Sequence, residues 1–255
     1  MALIQIHFYS QVLGRQTNIQ VIIPQRNTYG EIGIENNADE NKYKTLLLLH
    51  GLSDDNTIWA RRTSIERYAT EHGIAVVMPD GERGFYTDNK YGYAYYKFIS
   101  EEVLHIAREF LPLSHRREDT FVAGNSMGGY GALKIALKNP ETYSAAVGLS
   151  SVADVEKFMN ERTPDLKKVI FGGERVPAEE DLFELAKSRE KNALKPRLYM
   201  CEGKGDFMYE ENVRLKTLFE QLDYDFTYVE DEGAHDWAFW DKHIQDGLEW
   251  LLGDK

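Results

Sequence analysis

The 255-residue chain predicts an α/β fold, with a mostly parallel sheet of about eight strands and helices on both faces. Three observations lead there. Eight short runs have strand character, rich in β-branched, aromatic and aliphatic residues. Most of the later runs are apolar almost throughout, as strands are when helices cover both faces. Between them lie segments with helical period, and strand alternating with helix implies a parallel sheet wound on both sides.

In chain order, residues 3–9 and 19–23 open with strand spacing. Residues 27–42 are polar and broken by Gly30, Gly33 and Asn36, which predicts a loop or irregular hairpin. Further strands are expected at 45–49, 74–78, 120–123, 145–149, 197–201 and 226–229, and helices at 61–71, 93–110, 127–138, 210–222 and 239–252. The stretch 152–194 breaks this rhythm. It carries Glu161-Arg162, Glu179-Glu180-Asp181 and Gly172-Gly173. A cap-like insertion over a pocket is expected, with a surface decoration as the plain alternative. No repeat and no linker divides the chain, so residues 1–255 are expected to form a single domain.

Composition narrows the function classes. A formal net charge of −12 offers no basic footprint for a phosphate backbone, so no nucleic-acid partner is expected. The longest pure apolar run, 74–78, is far too short to span a bilayer, and the first residues lack the plan of a signal peptide. A cytoplasmic protein without a membrane partner is expected. Cys201 is the lone cysteine, which excludes an internal disulfide and a thiolate metal cluster. The seven histidines do not fall at HxH or HxxxH spacing, so no metal site is expected.

Gly124-Asn125-Ser126-Met127-Gly128 matches Gly-x-Ser-x-Gly. Alone the pentapeptide is a weak signal. Here it follows the strand 120–123 and opens a helix, the strand–turn–helix setting that lifts a serine hydroxyl above a sheet. Ser126 is therefore the candidate nucleophile. Gly124 and Gly128 flank it because side chains there would strike the neighbouring strand and helix.

In that setting the partners come in the order serine, acid, histidine. His235 lies in Glu232-Gly233-Ala234-His235-Asp236, between the last strand and the last helix, and is the candidate base. His7, His72, His105 and His115 lie away from strand C-terminal ends, and His243 is inside the last helix. Asp206 follows the strand 197–201 in Glu202-Gly203-Lys204-Gly205-Asp206 and is the candidate acid, holding the His235 ring in the useful tautomer. Glu202 is its rival but sits very near the strand end. Asp236 is better placed for a local role. After the strand 45–49, the turn His50-Gly51-Leu52 stands where an oxyanion donor is expected, from the Leu52 N–H, with the Met127 N–H as the second donor.

Together these residues resemble the esterase D / S-formylglutathione hydrolase superfamily of α/β-hydrolases, nearest to the small bacterial tributyrin esterases. The matching stretches are His50-Gly51-Leu52-Ser53 with Trp59, Phe85-Tyr86-Thr87-Asp88, 124–131, 203–206 and His235-Asp236-Trp237, and the likeness runs over nearly the whole chain. The resemblance implies a serine carboxylesterase that hydrolyses short-chain acyl esters, acetyl to butyryl, with the triad Ser126, Asp206 and His235. It implies oxyanion N–H groups from Leu52 and Met127, no cofactor, a small-molecule ester as partner, and frequent homo-oligomerisation. It also implies that Gly51, Tyr86 and Trp237 lie at the substrate pocket. Relatives acting on S-formylglutathione, acetylated xylan or feruloyl esters use the same machinery. A non-catalytic binding protein on this fold is the reading from another class.

Overall fold

A computed structural model describes residues 1–25, 32 and 42–253. The expected loop at 27–42 lies outside the described residues, except for positions 32 and 42. Eight strands form one sheet: β1 (Ala2–Ser10), β2 (Arg15–Ile23), β3 (Thr45–Leu49), β4 (Ala75–Pro79), β5 (Thr120–Asn125), β6 (Ala145–Leu149), β7 (Arg197–Gly203) and β8 (Phe226–Asp231). Their order is β1-β2-β4-β3-β5-β6-β7-β8. β1 pairs antiparallel with β2, and β2 with β4. From β4 to β8 every pairing is parallel.

Ten α-helices accompany the sheet among the described residues: α1 (Ile58–Arg62), α2 (Ile65–Glu71), α3 (Tyr95–Lys97), α4 (Val103–Phe110), α5 (Met127–Lys138), α6 (Val155–Arg162), α7 (Pro164–Phe171), α8 (Leu182–Arg189), α9 (Tyr209–Gln221) and α10 (Trp237–Leu252). The period-2 alternation of the buried strands supplies two cores. Leu46 and Leu48 of β3 pack on one face with α1, α2 and α10, through Trp59, Ile65 and Ile244. Leu47 and Leu49 pack on the other with α4, α5, α8 and α9, through Leu104, Tyr130, Leu185 and Phe219.

Two helical segments depart from expectation. The segment 61–71 is two helices, because Thr63 is extended and its side chain serves both ends. Its hydroxyl donates to the Trp59 carbonyl at 2.7 Å and accepts the Ile65 N–H at 3.1 Å. A short polar side chain here competes with the helical ladder. The segment 93–110 starts at Tyr95 and passes through a π-turn, Phe98–Glu102, before α4. Glu102, in that turn, accepts the Gln11 N–H at 2.7 Å and so holds the β1–β2 turn. The 152–194 stretch contains α6, α7 and α8.

The parallel strands all point one way, so β3, β5, β6, β7 and β8 end at one edge. Helical crossovers leave the sheet in opposite directions from β3 and β5, and a crevice opens where they diverge.

Candidate active site

Ser126 is the first residue past β5 and stands immediately before α5. Its backbone is in the left-handed half of conformational space, at φ 55° and ψ −116°. Such a conformation costs on the order of 1–3 kcal/mol and persists only when its surroundings impose it. Those surroundings are tight backbone. A methyl on Gly124 would lie 2.5 Å from the Gly128 carbonyl carbon, and one on Gly128 would overlap the Leu49 carbonyl and lie 2.8 Å from that of His50. Hydrogen bonds from the Ser126 N–H to Leu149 and from the Val152 N–H to the Ser126 carbonyl fix the turn to the end of β6.

The hydroxyl meets His235. Ser126 Oγ is 2.9 Å from His235 Nε2, and His235 Nδ1 is 2.7 Å from Asp206 Oδ2. With the ring proton on Nδ1, His235 donates to Asp206 and presents Nε2 as an acceptor to the serine. Asp206 also accepts the Met208 N–H at 2.9 Å. Burial acts to raise the Asp206 carboxyl, but the hydrogen bond and charge of His235, with the Met208 N–H, outweigh it and hold the group below the ordinary aspartate value. Asp206 therefore stays an anion beneath the imidazole. The ring packs against Phe207, 4.8 Å between centroids, and edge-to-face on Trp240 at 4.9 Å. Asp236 has the local role expected: its side chain caps α10 by accepting the Phe239 N–H.

The turn after β3 is locked from several sides. His50 is buried, its Nδ1 donating to the Gly51 carbonyl at 2.7 Å while Nε2 accepts the Gly81 N–H at 3.0 Å. The Asp54 N–H binds the same Gly51 carbonyl. The Gly51–Leu52 peptide is planar and trans, so fixing its carbonyl toward His50 and Asp54 turns the Leu52 N–H to the opposite side. The Met127 N–H is in the first turn of α5, where the ladder offers it no partner and the helix dipole is positive.

A cavity of about 680 Å³ opens over Ser126 and His235. Gly51, Leu52, Trp237 and Trp240 line it, with Phe158 from α6 and Phe207 from the loop after β7. Trp237 is held edge-to-face between Trp59 and Trp240, 5.1 Å from each.

Of the three residues expected at the substrate pocket, Gly51 and Trp237 line this cavity and Tyr86 does not. It is fully buried, and its hydroxyl donates to the His50 carbonyl at 2.8 Å. The ring lies under the turn rather than at the pocket wall, packed against Gly81 and Gly131, on a backbone with positive φ at both Phe85 and Tyr86. Glu202, the rival acid, is fully buried at the end of β7 and does not meet His235.

The wall also holds residues that sequence reasoning missed, among them Phe158, Phe207, Trp240, Asn125 and the charged residues Asp54 and Arg83. The Trp237–Trp240 spacing of three on one helix face was a readable signal. Asn125 lay inside the motif itself. Its buried carboxamide has no hydrogen-bond partner among the described residues on either its oxygen or its nitrogen. No group of histidine, cysteine and carboxylate side chains among the described residues forms a metal cage.

Known proteins similar to this chain include esterases and serine hydrolases. A family model described as "Putative esterase" matches residues 10–251. An acetyl esterase of Caldicellulosiruptor saccharolyticus is 32% identical, with 98% of each chain covered. Two solved structures from Staphylococcus aureus are each 34% identical with 99% of both chains covered. The fluorophosphonate-binding serine hydrolase F superposes with a TM-score of 0.89, and an S-formylglutathione hydrolase with 0.86.

Proposed function

Because this chain belongs to the esterase family and is a carboxylic ester hydrolase of the α/β-hydrolase superfamily, we propose that it cleaves short-chain acyl esters, acetyl to butyryl, through Ser126, His235 and Asp206. The observation that carries this reading is the continuous Ser126–His235–Asp206 hydrogen-bonded chain at the floor of an aromatic-walled cavity.

His235 takes the Ser126 proton as the hydroxyl attacks the ester carbonyl. The Leu52 and Met127 N–H groups receive the oxyanion, each worth roughly 3 kcal/mol of transition-state stabilisation. His235 then protonates the leaving alcohol, and water repeats the cycle on the acyl-enzyme. Asp206 stabilises the imidazolium without taking its proton. The aromatic walls suit a small apolar acyl group. The acetyl esterase relative supports the same acyl class. A thioester reading rests on the S-formylglutathione hydrolase relative, since the same steps cleave a thioester with a thiol as leaving group.

The test is a panel of p-nitrophenyl esters from acetate to octanoate, with S-formylglutathione and acetylated xylan alongside. Activity is expected to fall steeply beyond butyrate, and good activity on octanoate would sink the acyl assignment. Ser126→Ala should lose hydrolysis and labelling by a fluorophosphonate together. Retained hydrolysis in that variant would overturn the nucleophile.

A further inference from the structure

Glu202 has no place in the mechanism above, yet it lies fully buried four residues before Asp206. One carboxyl oxygen, Oε1, accepts the Gly203 N–H at 3.2 Å. The other, Oε2, is buried and makes no hydrogen bond among the described residues. Its side-chain neighbours are the Asp206 carboxyl and the Ser150 hydroxyl at the end of β6, and its charge also acts on the Cys201 thiol of β7, the Tyr209 hydroxyl of α9 and the Tyr228 hydroxyl of β8. Glu230, its register partner on the edge strand β8, is exposed to solvent. None of these is a cation. The nearby Lys204 ammonium turns away to Glu232 at the surface.

A buried anion in this setting would have no counter-ion and would face the Asp206 anion across a low-dielectric gap. Two such charges do not both persist; one site takes a proton. Asp206 is tied to the His235 ring and the Met208 N–H, both of which favour its charged form. The proton therefore falls to Glu202, and a protonated Oε2 becomes a donor instead of an orphaned acceptor.

We propose that Glu202 is a positioning residue, a neutral carboxylic acid that donates a hydrogen bond to Asp206 and holds that carboxylate in register with His235. The inference rests on Asp206 being the triad acid. Burial, then the Asp206 charge, pushes the Glu202 carboxyl up to about 10, in keeping with a neutral group at working pH. Asp206 then has three donors, His235, Met208 and Glu202, and its lone pairs are shared among them. Losing the Glu202 bond concentrates charge toward His235, which favours the imidazolium and loosens the carboxylate.

Two substitutions in the full chain test this. Glu202→Leu removes the donor and should lower kcat about tenfold or more, the worth of one charge-assisted hydrogen bond, and move the acid limb of the kcat/KM profile to higher pH. Glu202→Gln keeps an N–H donor and should restore most of that loss with the acid limb near the wild-type position. An acid limb displaced to lower pH in Glu202→Gln would mean that glutamate had been an anion, overturning the proposal. So would full activity and an unmoved profile in Glu202→Leu.

A second measurement is independent of catalysis and of whether the leucine variant folds. The folded carboxyl lies above its unfolded value of about 4.3. Its stabilisation is full below that value and is lost as pH rises toward the folded one. Between pH 6 and 8 the wild-type folding constant should therefore fall about tenfold per pH unit relative to Glu202→Gln. A pH-independent difference overturns the proposal. Activity surviving in Ser126→Ala would instead overturn the function reading and leave this stability result standing.

Discussion

At the scale of single residues, the site is built by groups that never touch substrate. Tyr86 shows this most plainly. Its ring is sealed beneath the oxyanion turn, and its one polar atom serves the His50 carbonyl. His50 in turn grips the Gly51 carbonyl, and the planar peptide passes that orientation to the Leu52 N–H. Tyr86→Phe leaves a buried carbonyl without its donor, which costs about 1–3 kcal/mol of stability. Urea unfolding should register that loss, while KM for p-nitrophenyl acetate stays within about twofold because no wall atom has changed. A several-fold rise in KM with unchanged stability would put the ring back at the pocket. The mistaken wall position has a physical origin. A resemblance conveys which residue stands at a position, but the direction of its side chain depends on two successive left-handed backbone conformations that leave no mark in composition or period.

At the scale of elements, the strand-to-helix turn between β5 and α5 couples sequence to geometry most tightly. Gly128 faces the carbonyls of Leu49 and His50, so β3 and α5 approach each other through a residue with no side chain. A methyl there has only backbone to displace. Gly128→Ala should separate α5 from β3, shifting Ser126 away from His235 and the two N–H donors from each other. A displacement of 1 Å at a reaction centre costs about 100-fold, so kcat should fall at least that far, with stability lower by about 1–3 kcal/mol from overpacking. Labelling of the variant by a fluorophosphonate at the wild-type rate would contradict this. These elements were largely legible because each had a local signature: an apolar run for the strand, glycines at fixed offsets for the turn, and helical period after it. The split of 61–71 at Thr63 was not, because it depends on one hydroxyl serving two neighbouring backbone groups. The π-turn at Phe98–Glu102 likewise left no periodic trace, and it draws on a contact between Glu102 and Gln11, 91 residues apart in sequence.

At the scale of the whole molecule, the strand ends collect Leu52, Ser126, Asp206 and His235 from four separate loops, and their order along the chain could be read from the motif around Ser126 together with the alternation of strands and helices. How the 152–194 stretch attaches could not, because its anchors are buried side-chain pairs. Lys134 of α5 is fully buried and donates to Glu180 at 2.6 Å and to Thr87 at 2.7 Å, Lys138 pairs with the other Glu180 oxygen at 2.8 Å, and the Tyr130 hydroxyl donates to the Glu180 carbonyl. Leu182, Leu185 and Ala186 of the following α8 are buried in the same core, and the Tyr224 hydroxyl binds the Ala186 carbonyl. This half of the stretch is fixed to the nucleophile's own helix. The other half is held differently. α6 is tied to α9 by Arg214 with Asp154 and by Lys157 with Glu211, pairs whose cations are half exposed. Exposed pairs are worth about 0–1 kcal/mol each and weaken with salt. α6 also contributes Phe158 to the cavity wall, and of its eight residues only Val155 and Met159 are buried in the core. The stretch should therefore open in two parts. In native-state hydrogen exchange the amides of α8 should be protected nearly as well as those of α5, while α6 exchanges at least tenfold faster, and raising salt from 0.05 to about 0.5 M should speed α6 alone. Exchange of α8 at the rate of α6 would mean that the buried Lys134–Glu180 pair does not anchor it, and the whole stretch would then move as one lid over Ser126.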